Sequence, residues 1–406
     1  LLAVAVKNIF SSASLIEGGC YSDNGYFYYN FACPSPISSE MIHLFEEEMK
    51  NIITSSLEKK IYHLEMIAGN AKNFAIYHGY DELVKQIPED DSLIEFFRFG
   101  DFINLAKGPF LKEIPENAKN SFKLIDLQKI SDNSYSMVGV AENNKQKLKE
   151  LTKEYKNYQK TNHRVIGEKL GLWDATSSYG PVIFSKGEFL KNKLINFLEK
   201  RLKKEGFVLV SSPLGDNFDF NEAKKHKAKL HRQIFQDRKW DKIAEFFICS
   251  DENATETDLL NTNYFLTSQE HIFTNEENRN EIAISSLQFI EEILKILCFE
   301  YVVNFIGFEN RILDLSFEKF SSNLKKVKEI QFFALDGLKR KYLVAYLKLP
   351  SPSCKNKMKC DKKSEAILFE RSVCFSIEKL MALMIEGIQK TEKRNEFFEG
   401  ISHYIN

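Results

Sequence analysis

The chain has 406 residues, enough for two or three domains with sizeable cores. Its 56 Lys and Arg balance 57 Asp and Glu, which excludes a wholly basic nucleic-acid binder but leaves room for a local basic face. No apolar run approaches the roughly 20 residues of a membrane span, and seven scattered cysteines without paired spacing suit reduced thiols in a cytosol.

The opening Leu1-Leu2-Ala3-Val4-Ala5-Val6 is too short for the core of a signal peptide, because Lys7 follows at once. Residue 1 is not Met, so the chain is expected to continue upstream. Asn24-Gly25 signals a turn before the aromatic strand Tyr26 to Phe31. Ser38 to Leu57 has helical spacing, with Met41, Ile42, Leu44, Phe45, Met49, Ile52 and Ile53 on one broad face. Leu93 to Phe99 and Phe122 to Leu127 are strand candidates. Residues 143–170 form a charged helical segment in which Leu148, Leu151, Tyr155 and Tyr158 recur every three or four positions, as in an interdomain helix.

Ser185 to Glu205 predicts a second amphipathic helix stopped by Gly206, and Phe207 to Ser212 a strand ended by Pro213. The basic run from Lys224 to Arg232 has two readings, RNA phosphate contact or a solvated helix face, and the second is preferred. Glu281 to Cys298 and Ile377 to Lys390 predict helices, and Lys341 to Leu349 an alternating strand. Cys354 and Cys360 flank a Lys-rich stretch without zinc-knuckle spacing or a nearby His, and read as an exposed loop. Strands interspersed with long helices indicate an α+β class, an antiparallel sheet flanked by helices.

Two stretches, Gly100-Asp101-Phe102-Ile103-Asn104-Leu105-Ala106-Lys107-Gly108-Pro109-Phe110 and Asn162-His163-Arg164-Val165-Ile166-Gly167-Glu168-Lys169-Leu170-Gly171-Leu172, together resemble the threonyl-tRNA synthetase family. The resemblance implies an editing-like domain over 1–142, a linker helix over 143–172 and a class II synthetase core over 173–406. The family's editing site uses two His four apart on a helix, facing a Cys and a His on a later loop. Val4 stands at the second helix His, Ala106 at the Cys, Phe110 at the loop His, and Asn104 replaces an Asp. Gly100, Asp101, Phe102, Gly108 and Pro109 keep the family's geometry. Val and Phe cannot transfer a proton or orient water as imidazole does, so the resemblance implies lost editing.

In the core, Gly206 to Pro213 matches class II motif 1, which implies a homodimer. Ala244-Glu245-Phe246 matches motif 2, yet Asp251 falls where an Arg should contact ATP. At about 4 Å and an effective dielectric of ~20, that swing from attraction to repulsion is several kcal/mol. Asn261, Asn263, Tyr264 and Phe265 occupy the segment of the paired arginines. His271 matches the first zinc His, Glu370 takes the place of the last, and the Cys-bearing segment is missing. In motif 3, Phe375 replaces a Gly, Glu378 is kept, and Lys379 replaces an Arg whose planar guanidinium stacks on adenine.

The resemblance thus implies a scaffold whose ligase and editing activities are lost, with no cofactor, no metal and no anticodon-binding domain before Asn406. Its expected partners are tRNA, a second copy through motif 1, an authentic synthetase or another protein, in the cytoplasm and without a membrane. Two alternatives stay open. One is a divergent active threonine–tRNA ligase using ATP and zinc, and the other a structural or regulatory module without tRNA contact.

Overall fold

Short strands and amphipathic helices build two units, Leu1–Asn157 and Tyr158–Asn406. A computed structural model describes residues 1–20, 25–55, 59–78, 84–85, 87–90, 92–105, 111–130, 133–174, 181–212, 219–250, 259–307, 312–313, 326–350, 358–361 and 364–388.

The first unit opens with α1 (Leu2–Ile9), β1 (Ser14–Cys20), β2 (Tyr26–Ala32) and α2 (Ile42–Ser55). Then come β3 (Ile61–Ile67), α3 (Ala68–Tyr77), β4 (Leu93–Phe99), β5 (Phe102–Leu105), β6 (Phe122–Lys129) and β7 (Ser134–Ala141). Strands β1-β2-β7-β6 make one antiparallel sheet and β3-β4-β5 another. Alternate residues of the first sheet, among them Leu15, Phe31, Leu124 and Met137, meet Ala5 and Val6 of α1 and Phe45, Met49 and Ile53 of α2 in one core. The helix expected over Ser38 to Leu57 starts as a 3₁₀ turn at Ser39–Met41 and becomes α-helical at Ile42.

The division between units falls inside α4 (Lys145–Thr161). The single helical segment expected over 143–170 is two helices, α4 and α5 (His163–Leu170). Asn162 breaks them, since its Oδ1 accepts from Val165 N at 3.1 Å as an N-cap. Gly171 ends α5 at φ 67°, where its lack of Cβ costs nothing, and Leu172 N bonds back to Gly167 O. Gly167 lets α5 approach Trp173, whose ring atoms lie 2.1 Å from where a Cβ would be.

The second unit continues with β8 (Trp173–Asp174), β9 (Val182–Ile183), α6 (Ser185–Lys204), β10 (Val208–Leu209), α7 (Phe220–Arg238), β11 (Lys242–Ser250), β12 (Tyr264–Thr274) and α8 (Arg279–Ile296). The remaining elements are β13 (Tyr301–Gly307), β14 (Ile312–Leu313), β15 (Val327–Leu335), β16 (Lys341–Lys348), β17 (Met358–Asp361), β18 (Ser364–Ser372) and α9 (Ile377–Ile388). One large sheet runs β10-β11-β12-β18-β16-β15-β13-β14, with β17 paired to β18. It is antiparallel except for β10, which pairs parallel with β11. The strand expected over Phe207 to Ser212 is therefore only Val208–Leu209, and Pro213 lies outside the described residues. The protein is α+β, a mixture of helices and antiparallel sheets.

Helices α6, α8 and α9 bury Leu190, Leu194, Leu198, Leu287, Ile290, Leu294, Leu380 and Met384 with Ala244, Ile272, Phe369 and Leu347 of the sheet. By the alternation of strand side chains, Ile243, Glu245, Phe247 and Cys249 of β11 then point to the opposite face. There α7 packs, through Ala223, Phe220, Ile234 and Phe235.

Candidate functional site

Beneath α7 lies a buried polar network. Lys227 and His231 are one turn apart on α7, so both reach the same face of the sheet. Lys227, His231, Glu245, Gln269 and His271 are almost wholly removed from solvent. Lys227 Nζ donates to Glu245 Oε1 at 2.8 Å and to Ser212 Oγ and O at 2.6 and 3.0 Å. Ser212 adds its backbone N–H at 2.5 Å and its hydroxyl at 2.8 Å to the same carboxylate oxygen. The other oxygen, Oε2, is 3.2 Å from His231 Nε2. His231 Nδ1 meets His271 Nδ1 at 2.7 Å, and His271 Nε2 is 3.4 Å from Gln269 Nε2.

The partners assign the direction of this chain. Gln269 Nε2 can only donate, so His271 Nε2 accepts. His271 Nδ1–H then donates to His231 Nδ1, and His231 Nε2–H donates to Glu245. Burial holds the His271 pKa well below the usual imidazole range, helped by nearby His231, Arg232, Lys224 and Lys348. Burial pushes the Glu245 carboxyl up, but hydrogen bonds from His231, Lys227 and Ser212 outweigh it, so its pKa is net lowered. The preferred sequence reading of the basic run as a solvated face is therefore corrected for Lys227 and His231, which face inward.

Glu370 lies beside His271 in register across β12 and β18. It pairs with Lys348 at 3.4 Å and stands 4.0 Å from Lys224, whose ammonium is 4.0 Å above the Tyr346 ring. No group of three His, Cys, Asp or Glu converges as a metal site among the described residues. With both imidazole nitrogens of His271 engaged and Glu370 facing lysines, the residues here do not fit the zinc ion that the active-ligase alternative requires.

Glu378 is buried at the start of α9. Its Oε1 pairs with Lys191 of α6 at 3.1 Å, while Oε2 accepts from Leu266 N at 3.1 Å and Ser376 Oγ at 3.2 Å. It fastens α9 to β12 and α6. Lys379 is half-buried with its ammonium 5.0 Å over the Phe375 ring. Phe375 stacks on Phe265 at 5.7 Å and contacts Phe220 of α7 at 4.9 Å. Asn263 is exposed just before β12, and Asp251 lies outside the described residues.

In the first unit, Val4 is half-buried on α1 at the rim of the core that includes Tyr29. Asn104 is buried on β5 and donates to Tyr29 Oη at 2.7 Å, while its Oδ1 accepts from Leu105 N. Ala106 and Phe110 lie outside the described residues, as does Cys354. Sequence reasoning missed Ser212, Lys227, His231 and Gln269 as site residues. The i, i+4 spacing of Lys227 and His231 opposite a strand carrying Glu245 was the available signal.

No family profile matches the chain. A threonine–tRNA ligase of Clostridium perfringens is 29% identical over 235 residues, covering 56% of this chain and 36% of that protein. One from Hahella chejuensis is 25% identical over 352 residues, covering 75% of this chain and 53% of that protein. Among solved structures, the RNA binding domain of threonyl-tRNA synthetase from Cryptosporidium parvum Iowa II aligns at TM-score 0.42 and 17% identity, over 56% of this chain and 72% of that one. A cytoplasmic serine–tRNA ligase from Naegleria fowleri, in complex with AMP, aligns at TM-score 0.41 and 13% identity, over 60% and 66%. The chain is aminoacyl-tRNA synthetase-like. Its relatives are threonyl-tRNA synthetases, and it spans about a third to a half of their length.

Proposed function

We propose that this chain is a noncatalytic, threonyl-tRNA synthetase-like scaffold of the cytoplasm that binds tRNA and pairs with a second copy of itself. The observation that carries this reading is the closed network under α7. His271, the residue that best matches a family zinc ligand, has both ring nitrogens engaged by His231 and Gln269. Glu378, matched to an ATP-binding position, is spent on Lys191 and the Leu266 amide. Those bonds hold helices to the sheet and leave neither group poised toward a substrate. Changes of residue type at Val4, Asn104, Ala106 and Phe110 support the same reading for editing, and Asp251, Asn263 and Lys379 for ligation. No cofactor is proposed.

A thermal-shift screen tests the reading. Added tRNA should raise the melting temperature, while ATP, threonine and zinc, each alone, should leave it unchanged. A shift with ATP and threonine but none with tRNA would overturn it. The dimer is tested by light scattering, which should give about twice the 47.1 kDa chain mass.

A further inference from the structure

The basic run on α7 is divided by the fold into an inward and an outward half. Lys227 and His231 are buried in the network, whereas Lys225 and Lys229 are exposed and Arg232 is half-exposed. At 100° per residue, Lys225, Lys229 and Arg232 fall on one outward stripe, followed by exposed Gln233 and Gln236. Among the described residues, none of these three cations makes a hydrogen bond or ion pair. The helix itself holds six Lys or Arg against two acids, Glu222 and Asp237. Lys227 is neutralised inside by Glu245, and Lys224 lies beside Glu370. Among the described residues, no carboxylate pairs with the outward cations.

The inward half gives the stripe its rigidity. Lys227 bonds Glu245 and Ser212, and His231 bonds Glu245 and His271, so the helix is fixed to the sheet by several buried contacts. From Lys225 to Arg232 the axial span is about 10 Å at 1.5 Å per residue. That matches roughly three phosphates of one stacked strand. We infer that the outward face of α7, through Lys225, Lys229 and Arg232, is a docking site for the RNA phosphate backbone, with Gln233 and Gln236 supplying uncharged hydrogen bonds. The inference rests on the RNA-binding part of the proposed function and assigns a surface to it. Phosphate contact of this kind sets affinity and position and carries no base specificity.

The test is fluorescence anisotropy with a labelled transcript of a threonine-accepting tRNA, titrated between 50 and 200 mM salt. The wild-type chain is compared with Lys225→Gln/Lys229→Gln/Arg232→Gln. A control, Lys186→Gln/Lys200→Gln/Lys204→Gln, removes equal charge from α6, which packs on the opposite face of the sheet. Equal far-UV circular dichroism confirms that both variants fold. Losing three phosphate contacts should lower the slope of log affinity against log salt by about 2 to 3. Over this fourfold salt range the wild type should therefore lose about 15- to 60-fold more affinity than the α7 variant, and the α6 control should behave as wild type. Wild-type binding with an unchanged slope in the α7 variant, or an equal drop in the control, would overturn the α7 assignment alone. Absence of wild-type RNA binding would overturn both this assignment and the scaffold's tRNA-binding role.

Discussion

Removing the ammonium of Lys227 isolates the central test of the buried network. Lys227→Met keeps an unbranched apolar stem of similar length, so packing near the Phe247 ring changes little. It removes three donor contacts, at 2.6, 2.8 and 3.0 Å, and strands the Glu245 carboxylate in the interior. Breaking a buried pair from one side costs about 3–5 kcal/mol. Ser212 and His231 still hold Glu245 here, which places the expected loss near the lower end, about 3 kcal/mol. For a unit of this size each kcal/mol shifts melting by about 2–4 °C, so calorimetry should show a fall of roughly 6–12 °C. The double variant Lys227→Met/Glu245→Gln should recover at least half of it, because no charge is left buried. The pH dependence has a definite sign. The Glu245 pKa is lowered in the native state, so its contribution is present above the unfolded value near pH 4 and lost as pH falls through the native value. Wild type and Lys227→Met should therefore converge in acid. A single variant losing under about 1 kcal/mol, or a double variant as unstable as the sum of the singles, would refute the coupled network.

Three further outcomes are expected. A zinc site at His271 would raise stability by about 2.7 kcal/mol at a hundredfold excess over its dissociation constant, whereas added zinc should leave calorimetric stability unchanged. Gly167→Ala places a methyl 2.1 Å from the Trp173 ring; despite the better helix propensity, urea unfolding should show a loss of about 1–3 kcal/mol. At Glu386, burial raises the carboxyl pKa but hydrogen bonds from His163 and Gly337 outweigh it, so stability from this group is full above the unfolded value and lost as pH falls. Glu386→Gln should cost about 1–3 kcal/mol at pH 7 and progressively less below pH 4, read by urea titration at each pH.

Long amphipathic segments were legible because periodicity is a local property. Ser185 to Glu205 emerges as α6 almost unchanged, and Leu93 to Phe99 as β4. Boundaries set by capping were harder: Asn162 splits the linker segment because one side-chain oxygen captures an amide three residues on. Strands β11, β12 and β18 fuse the motif residues into one sheet, and their register depends on non-local pairing that no short window contains. The same limit hid the network. A run of lysines and histidines reads as solvated until the strand beneath it is known to carry Glu245, after which Lys227 and His231 must turn inward to match it.

Threonine-dependent exchange between ATP and pyrophosphate, with zinc supplied, tests the noncatalytic reading most directly. The closed network under α7 and the altered residues Asp251 and Lys379 predict exchange no faster than a no-protein control. Reverting Asp251→Arg alone should not restore it, because His271 and Glu378 remain committed to structural bonds. Robust exchange by the unaltered chain, abolished by His271→Ala, would contradict the account.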